Sequence, residues 1–195
     1  MIMSSGARIA NQIYNIELRH LPLLHQEIIS YWLDIIPNGE TLPKECDFYE
    51  KEFDLSKMDF KPDSFLGQFK EHLVVLKEEV FGDAADWRYL YKGPGVKKDI
   101  VEDKDVKIIE YVSQIENPFE RDLIRKDLDT LKMVQLPHRR RLIWRPYSGY
   151  FGHDREHKTF VRIAMPFLDE NRQVHSCVVL VMEALFDGRG IIELN

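Results

Sequence analysis

The sequence predicts an α+β domain built on an antiparallel sheet, and three observations carry that prediction. A short strand pair encloses a Gly93-Pro94-Gly95 turn, with apolar alternation through residues 81–91. Helical periodicity follows as far as Met133. Aromatic and β-branched runs then fill residues 142–150, 159–168 and 174–186. Strands split by helices and closed by a meander place helices over part of one sheet.

The first clear helix spans residues 22–36. Pro22 suits its first turn, and Leu21, Leu24, Ile28, Tyr31 and Ile35 recur at helical spacing. Ile29, Trp32, Leu33 and Ile36 widen the apolar surface, and Pro37-Asn38-Gly39 stops the helix. So wide a stripe implies packing on the sheet, on a second subunit, or on both. Residues 40–64 are too long for a bare loop, so a short helix is expected at 43–49 or after Asp54.

Strand one is placed at 72–76 and Gly82-Asp83 as a turn. Trp87, Tyr89 and Tyr91 alternate with Arg88 and Leu90 in strand two. Val106, Ile109, Val112 and Ile115 predict a helix over 103–114. Asn117-Pro118-Phe119-Glu120 predicts a capped start for the next one, with Phe119, Leu123, Leu128 and Leu131 on its buried side. Pro137 ends it. Pro146 assigns the third strand to an edge or a bulge, because proline cannot donate to a ladder. Residues 169–173 form a hairpin turn, and Val161, Ile163, Val179 and Val181 are expected in the core.

The division expected is an N-terminal helical extension and connector at 1–64, a sensor or interaction domain at 65–187, and a tail at 188–195. The chain has 195 residues, is 44% hydrophobic, and carries 27 basic against 33 acidic side chains, a net charge of -6. That balance disfavours non-specific nucleic-acid binding. The one basic run, His138-Arg139-Arg140-Arg141, reads as ion-paired or solvated positions. Cys46 and Cys177 are far apart and outside any CxxC, which fits a reducing, cytoplasmic setting. Residues 1–10 lack the apolar region of a signal peptide. The longest purely apolar stretch, 178–182, is far short of a membrane span.

The segments LPLLHQEIISYWLDII at 21–36, LPKECDF at 42–48, DWRYLYKGPGV at 86–96 and FVRIAMPFLDENRQVHSCVVLV at 160–181 resemble the PAS-like domain family, in its alphaproteobacterial branch. The likeness touches residues 21–184. The sequence departs from that pattern at 143–157 and at VKKDIVEDKD, 96–105. The resemblance implies a five-stranded antiparallel sheet with helices over one face, serving as a sensor or interaction module.

No reaction is legible. His153 and His157, with Asp154 or Glu156, are the densest set of metal-ligand types, but share a face only on a helix, and the segment reads as a polar turn. His175 and Cys177 alternate on a strand, where packing explains them better than a nucleophilic pair. Gly93-Pro94-Gly95 lacks the phosphate-loop frame. The expected role is a non-enzymatic signalling or regulatory module that binds a small molecule or a protein partner. A structural adaptor without a ligand is the alternative, and no cofactor is indicated. A ligand is expected between the sheet and the helices of 103–133, with Trp87, Tyr89, Trp144 and Arg162 as its contacts and Arg162 as the anchor for an acidic group. A homodimer through the first helix is expected, with Ile28 and Trp32 in its interface.

Overall fold

The computed structural model describes residues 23–96, 109–133, 143–151 and 156–183. Helix α1, Leu23–Asp34, buries His25, Ile28, Ile29 and Trp32. It ends where Glu40 N donates to Pro37 O at 3.0 Å, with Gly39 at φ +85°. Helix α2, Glu45–Lys51, has Glu45 and Asp47 in its first turn and Lys51 in its last, the order its dipole favours.

The second helix considered after Asp54 does not form. A hairpin takes its place, pairing β1, Phe53–Asp54, with β2, Asp59–Phe60. Asp54 Oδ1 accepts from the backbone N–H groups of Ser56, at 3.0 Å, and Lys57, folding the chain into a turn. Phe53 and Phe60 then meet edge to face at 5.3 Å. A 3-10 segment, Leu66–His72, leads into the main sheet.

Strands β3, Leu73–Phe81, and β4, Ala84–Lys92, form a hairpin about Gly82, whose φ is +64°. Strand one therefore runs past Leu76, since Lys77, Glu78 and Glu79 all pair with β4. The strand pair does not enclose Gly93-Pro94-Gly95. That tripeptide follows β4, and Gly93 N donates to Leu73 O at 2.8 Å. A Cβ at Gly93 would overlap the carbonyl oxygens of Lys70 and Glu71, so glycine is required by the close approach.

The helix expected over 103–114 is replaced, across the described residues 109–114, by an extended stretch and a 3-10 turn, Val112–Gln114. Tyr111 bridges Arg88 on the β4 edge, and Tyr89 N donates to Glu110 O at 2.8 Å. The sheet edge offers these residues hydrogen bonds that a helix would forgo. Helix α3, Pro118–Met133, begins as expected, with Glu120 N donating to Asn117 Oδ1 at 3.4 Å. It buries Leu128 and Leu131, while Leu123 is half-buried.

Strands β5, Ile143–Phe151, β6, Glu156–Leu168, and β7, Val174–Glu183, complete one antiparallel sheet of order β4-β3-β7-β6-β5. Pro146 does lie on an edge strand, β5. The turn before β7 closes through Asp169 Oδ1, which accepts from Asn171 N at 2.9 Å and Gln173 N at 2.8 Å. Ile163 and Val181 are buried and Val179 is half-buried, while the Val161 side chain lies outside the described residues.

Both faces of the sheet are covered, not one. Register aligns Phe167, Ser176 and Lys77 in one row, and Met165, Val178, Val75 and Tyr91 in a second row on the same face. The N-terminal elements cover that face. Phe48 lies 4.8 Å from Phe167 with the rings tilted, Phe60 lies 5.2 Å from Tyr91, and Trp32 Nε1 donates to Pro166 O at 3.2 Å. A single apolar cluster joins Ile28, Trp32 and Phe48 to Leu73, Val178 and Leu180. The broad apolar surface of α1 is thus taken up within the chain, with Ile28 and Trp32 among its most buried residues. It no longer argues for a homodimer interface at those two positions. Helix α3 occupies the opposite face.

Candidate functional site beneath helix α3

The opposite face differs in chemistry. Its rows hold Trp87 with Glu78, Tyr89 with Leu76 and Cys177, and Arg162 with Val181. Helix α3 meets them through the buried Leu128 and Leu131, which join the same apolar cluster, and through charge. Arg162 Nη2 lies 3.5 Å from Asp127 Oδ2, and the two side chains are only 18% and 12% exposed. Lys132 Nζ donates to Glu78 Oε1, and Arg125 approaches Asp86 at 4.0 Å. Lys92 Nζ sits 3.7 Å from the centre of the Tyr89 ring and donates to Ile109 O at 3.0 Å.

Burial pushes the Tyr89 hydroxyl pKa up, helped by the charge of Glu120 and opposed by Arg162. Burial also raises the Glu120 carboxyl above its ordinary value, against the pull of Arg162 and Lys92. Lys92, Arg162 and Glu120 therefore act on the Tyr89 ring, and Asp127 joins them through Arg162, which sets two positive and two negative groups beneath α3. The group is balanced in charge and offers both donors and acceptors. It can hold and orient a polar molecule, or shift with the helix above it.

Three of the four residues expected at a ligand site, Trp87, Tyr89 and Arg162, lie on this face. Trp144 lies on β5, paired in register with Ile163, and its side chain lies outside the described residues. Arg162 is already opposed by Asp127, so it is not an open anchor for an acidic group. Sequence reasoning missed Glu120, Asp127 and Lys92. Acids at 120 and 127 are seven apart, so they share the helix stripe that also carries Leu128 and Leu131. The seven-residue spacing was the available signal.

The other candidates separate. His157 lies on β6, paired with Tyr150, whereas His153 and the basic run 138–141 lie outside the described residues. Among the described residues no group of three metal-ligating side chains assembles. His175 Nδ1 meets Glu45 Oε2 at 3.1 Å on the N-terminal side, while burial of Cys177 pushes its thiol pKa up. A register shift between Phe167 and Leu168 breaks the alternation that would have put the two on one face. No helix among the described residues is long and apolar enough to cross a membrane. Comparison with family models, with curated proteins and with solved structures gives no significant match to this chain.

Proposed function

We propose that this chain is a PAS-like, non-enzymatic signalling or regulatory module that binds a small molecule or a protein partner beneath helix α3. The observation that carries the reading is the Arg162–Asp127 pair, placed with Glu120, Lys92 and Tyr89 between a helix and the sheet. Burying an ion pair costs about as much as its attraction returns, so packing alone gives little reason to keep one here. The five-stranded antiparallel sheet, with its helical passage between β4 and β5, supports the PAS-like part of the reading. A bound ligand would need both a donor and an acceptor, because a purely acidic one must displace Asp127 from Arg162.

Native mass spectrometry of gently purified protein tests the reading. A stoichiometric small molecule, lost in Asp127→Asn while the fold is retained, is the expected result. A protein that is always empty, with no partner and with unchanged helix exchange in Asp127→Asn, would overturn it. That outcome would favour the structural adaptor.

A further inference from the structure

Residues 109–111 run along the β4 edge without being a strand of the sheet. Their attachments are few and individually nameable. Tyr89 N donates to Glu110 O at 2.8 Å, Arg88 bridges Tyr111, and Lys92 Nζ donates to Ile109 O at 3.0 Å. The Tyr111 hydroxyl donates to Glu79 Oε2 at 2.7 Å, and its ring meets Phe81 at 5.7 Å. Arg88 Nη1 holds the other oxygen of the same carboxylate at 3.1 Å. Immediately after, Val112 is fully buried and Ile115 nearly so. Core packing at Val112 and Ile115 follows the segment, and side chains at the surface fasten residues 109–111 to the β4 edge.

We propose that 109–111 is a strap hinged at Val112, held shut by the Tyr111–Glu79 bond, whose lifting bares the β4 edge together with Tyr89 and Lys92. Its consequence for binding rests on the function proposed above, but its existence does not. Two of the groups it ties, the Tyr89 backbone and the Lys92 ammonium, belong to residues of the charged cluster. Lifting it releases the Lys92 ammonium from Ile109 O and removes the cover from an edge otherwise ready to pair with another extended chain.

Tyr111→Phe isolates the fastening, because it keeps the ring against Phe81 and removes only the hydroxyl. Amide hydrogen exchange of the full chain reads the result. The Tyr89 amide, bonded to the strap, should exchange about fivefold faster in the variant, the scale of one half-exposed hydrogen bond to a charged group. The Gly93 amide, bonded to Leu73 O inside the fold, should not change. Lys92 should also react faster with an acylating reagent. Glu79→Gln, which weakens the hold on both Tyr111 and Arg88, should give the same pattern. Unchanged Tyr89 exchange in both variants would overturn the strap. Equal acceleration of Tyr89 and Gly93 would also overturn it, since that marks general loss of stability. Failure of ligand detection with a lifting strap would instead count against the proposed function alone.

Discussion

The two faces of the sheet are built from different materials. On the N-terminal face Phe48 packs against Phe53, Phe60 and Phe167 at centroid distances of 5.8, 6.4 and 4.8 Å. Some of the buried polar groups there are tied, although neither ring nitrogen of the buried His25 has a hydrogen-bond partner among the described residues. Glu52 accepts from Leu66 N at 2.7 Å and from the Tyr31 hydroxyl, and Glu45 receives Lys77 at 2.8 Å. On the α3 face, charges of both signs lie between helix and strand, with Leu128 and Leu131 supplying apolar contact from the helix's second half. The aromatic layer contributes stability through area and close packing, although Glu45 and Glu52 are buried beside it. A charged face contributes less for the same contact and responds more to what approaches it. The difference assigns structural weight to the first and responsiveness to the second.

Truncation in the aromatic layer should have the largest effect. Phe48→Ala leaves a cavity among three rings and should cost about 3–5 kcal/mol, measured by urea unfolding. A cost below about 1 kcal/mol would mean that the N-terminal layer is loosely held, and the contrast between faces would fail. Trp32→Ala belongs with it, as its indole is buried and bonded to Pro166 O.

Charge truncation comes next. Arg162→Ala takes the guanidinium from beside the buried Asp127 carboxylate and should cost about 3 kcal/mol. The double change Arg162→Met with Asp127→Leu removes both charges and should recover most of that loss, with stability within about 1 kcal/mol of the native protein. Recovery sharpens the contrast, since it shows a pair kept for something other than stability. A double variant as weak as Arg162→Ala would make the pair structural and erase the distinction.

The contrast was only half legible in the sequence. Alternation and turn chemistry located β6, β7 and their hairpin, because Asp169 and the β-branched run act locally. The start of α3 was legible for the same reason, through Asn117 and Pro118. The fate of residues 109–114 was not, because their threefold apolar repeat also fits a segment laid on a sheet edge. Nor was the use of α1, since an apolar stripe does not say whether its partner is the same chain. In the candidate site, Tyr89 stood out among the strand aromatics and Arg162 as a charge interrupting an apolar strand. Asp127 and Glu120 did not, because acids on a helix usually face water, and only tertiary packing turned this stripe inward.

The smallest expected effect is the most specific, and it lies at Glu120. Its folded pKa is raised above the ordinary value of 4.5, first by burial, with Arg162 and Lys92 pulling the other way. A carboxyl whose folded value lies above its unfolded one binds its proton more tightly in the native state. Its favourable contribution is complete below about pH 4.5 and is lost as pH rises through the folded value. At neutral pH the charge is therefore a modest burden. Glu120→Gln supplies a neutral group of the same shape, so the variant should melt slightly higher than the native protein at pH 7, by about 1–2 °C. The gap should close as the pH is lowered towards 4.5, where the native carboxyl is itself protonated. Thermal unfolding at several pH values measures both. A variant that melts lower at pH 7 would show that Arg162 and Lys92 outweigh burial. The charged layer would then be a stabilising one, and the two faces would differ in composition but not in purpose.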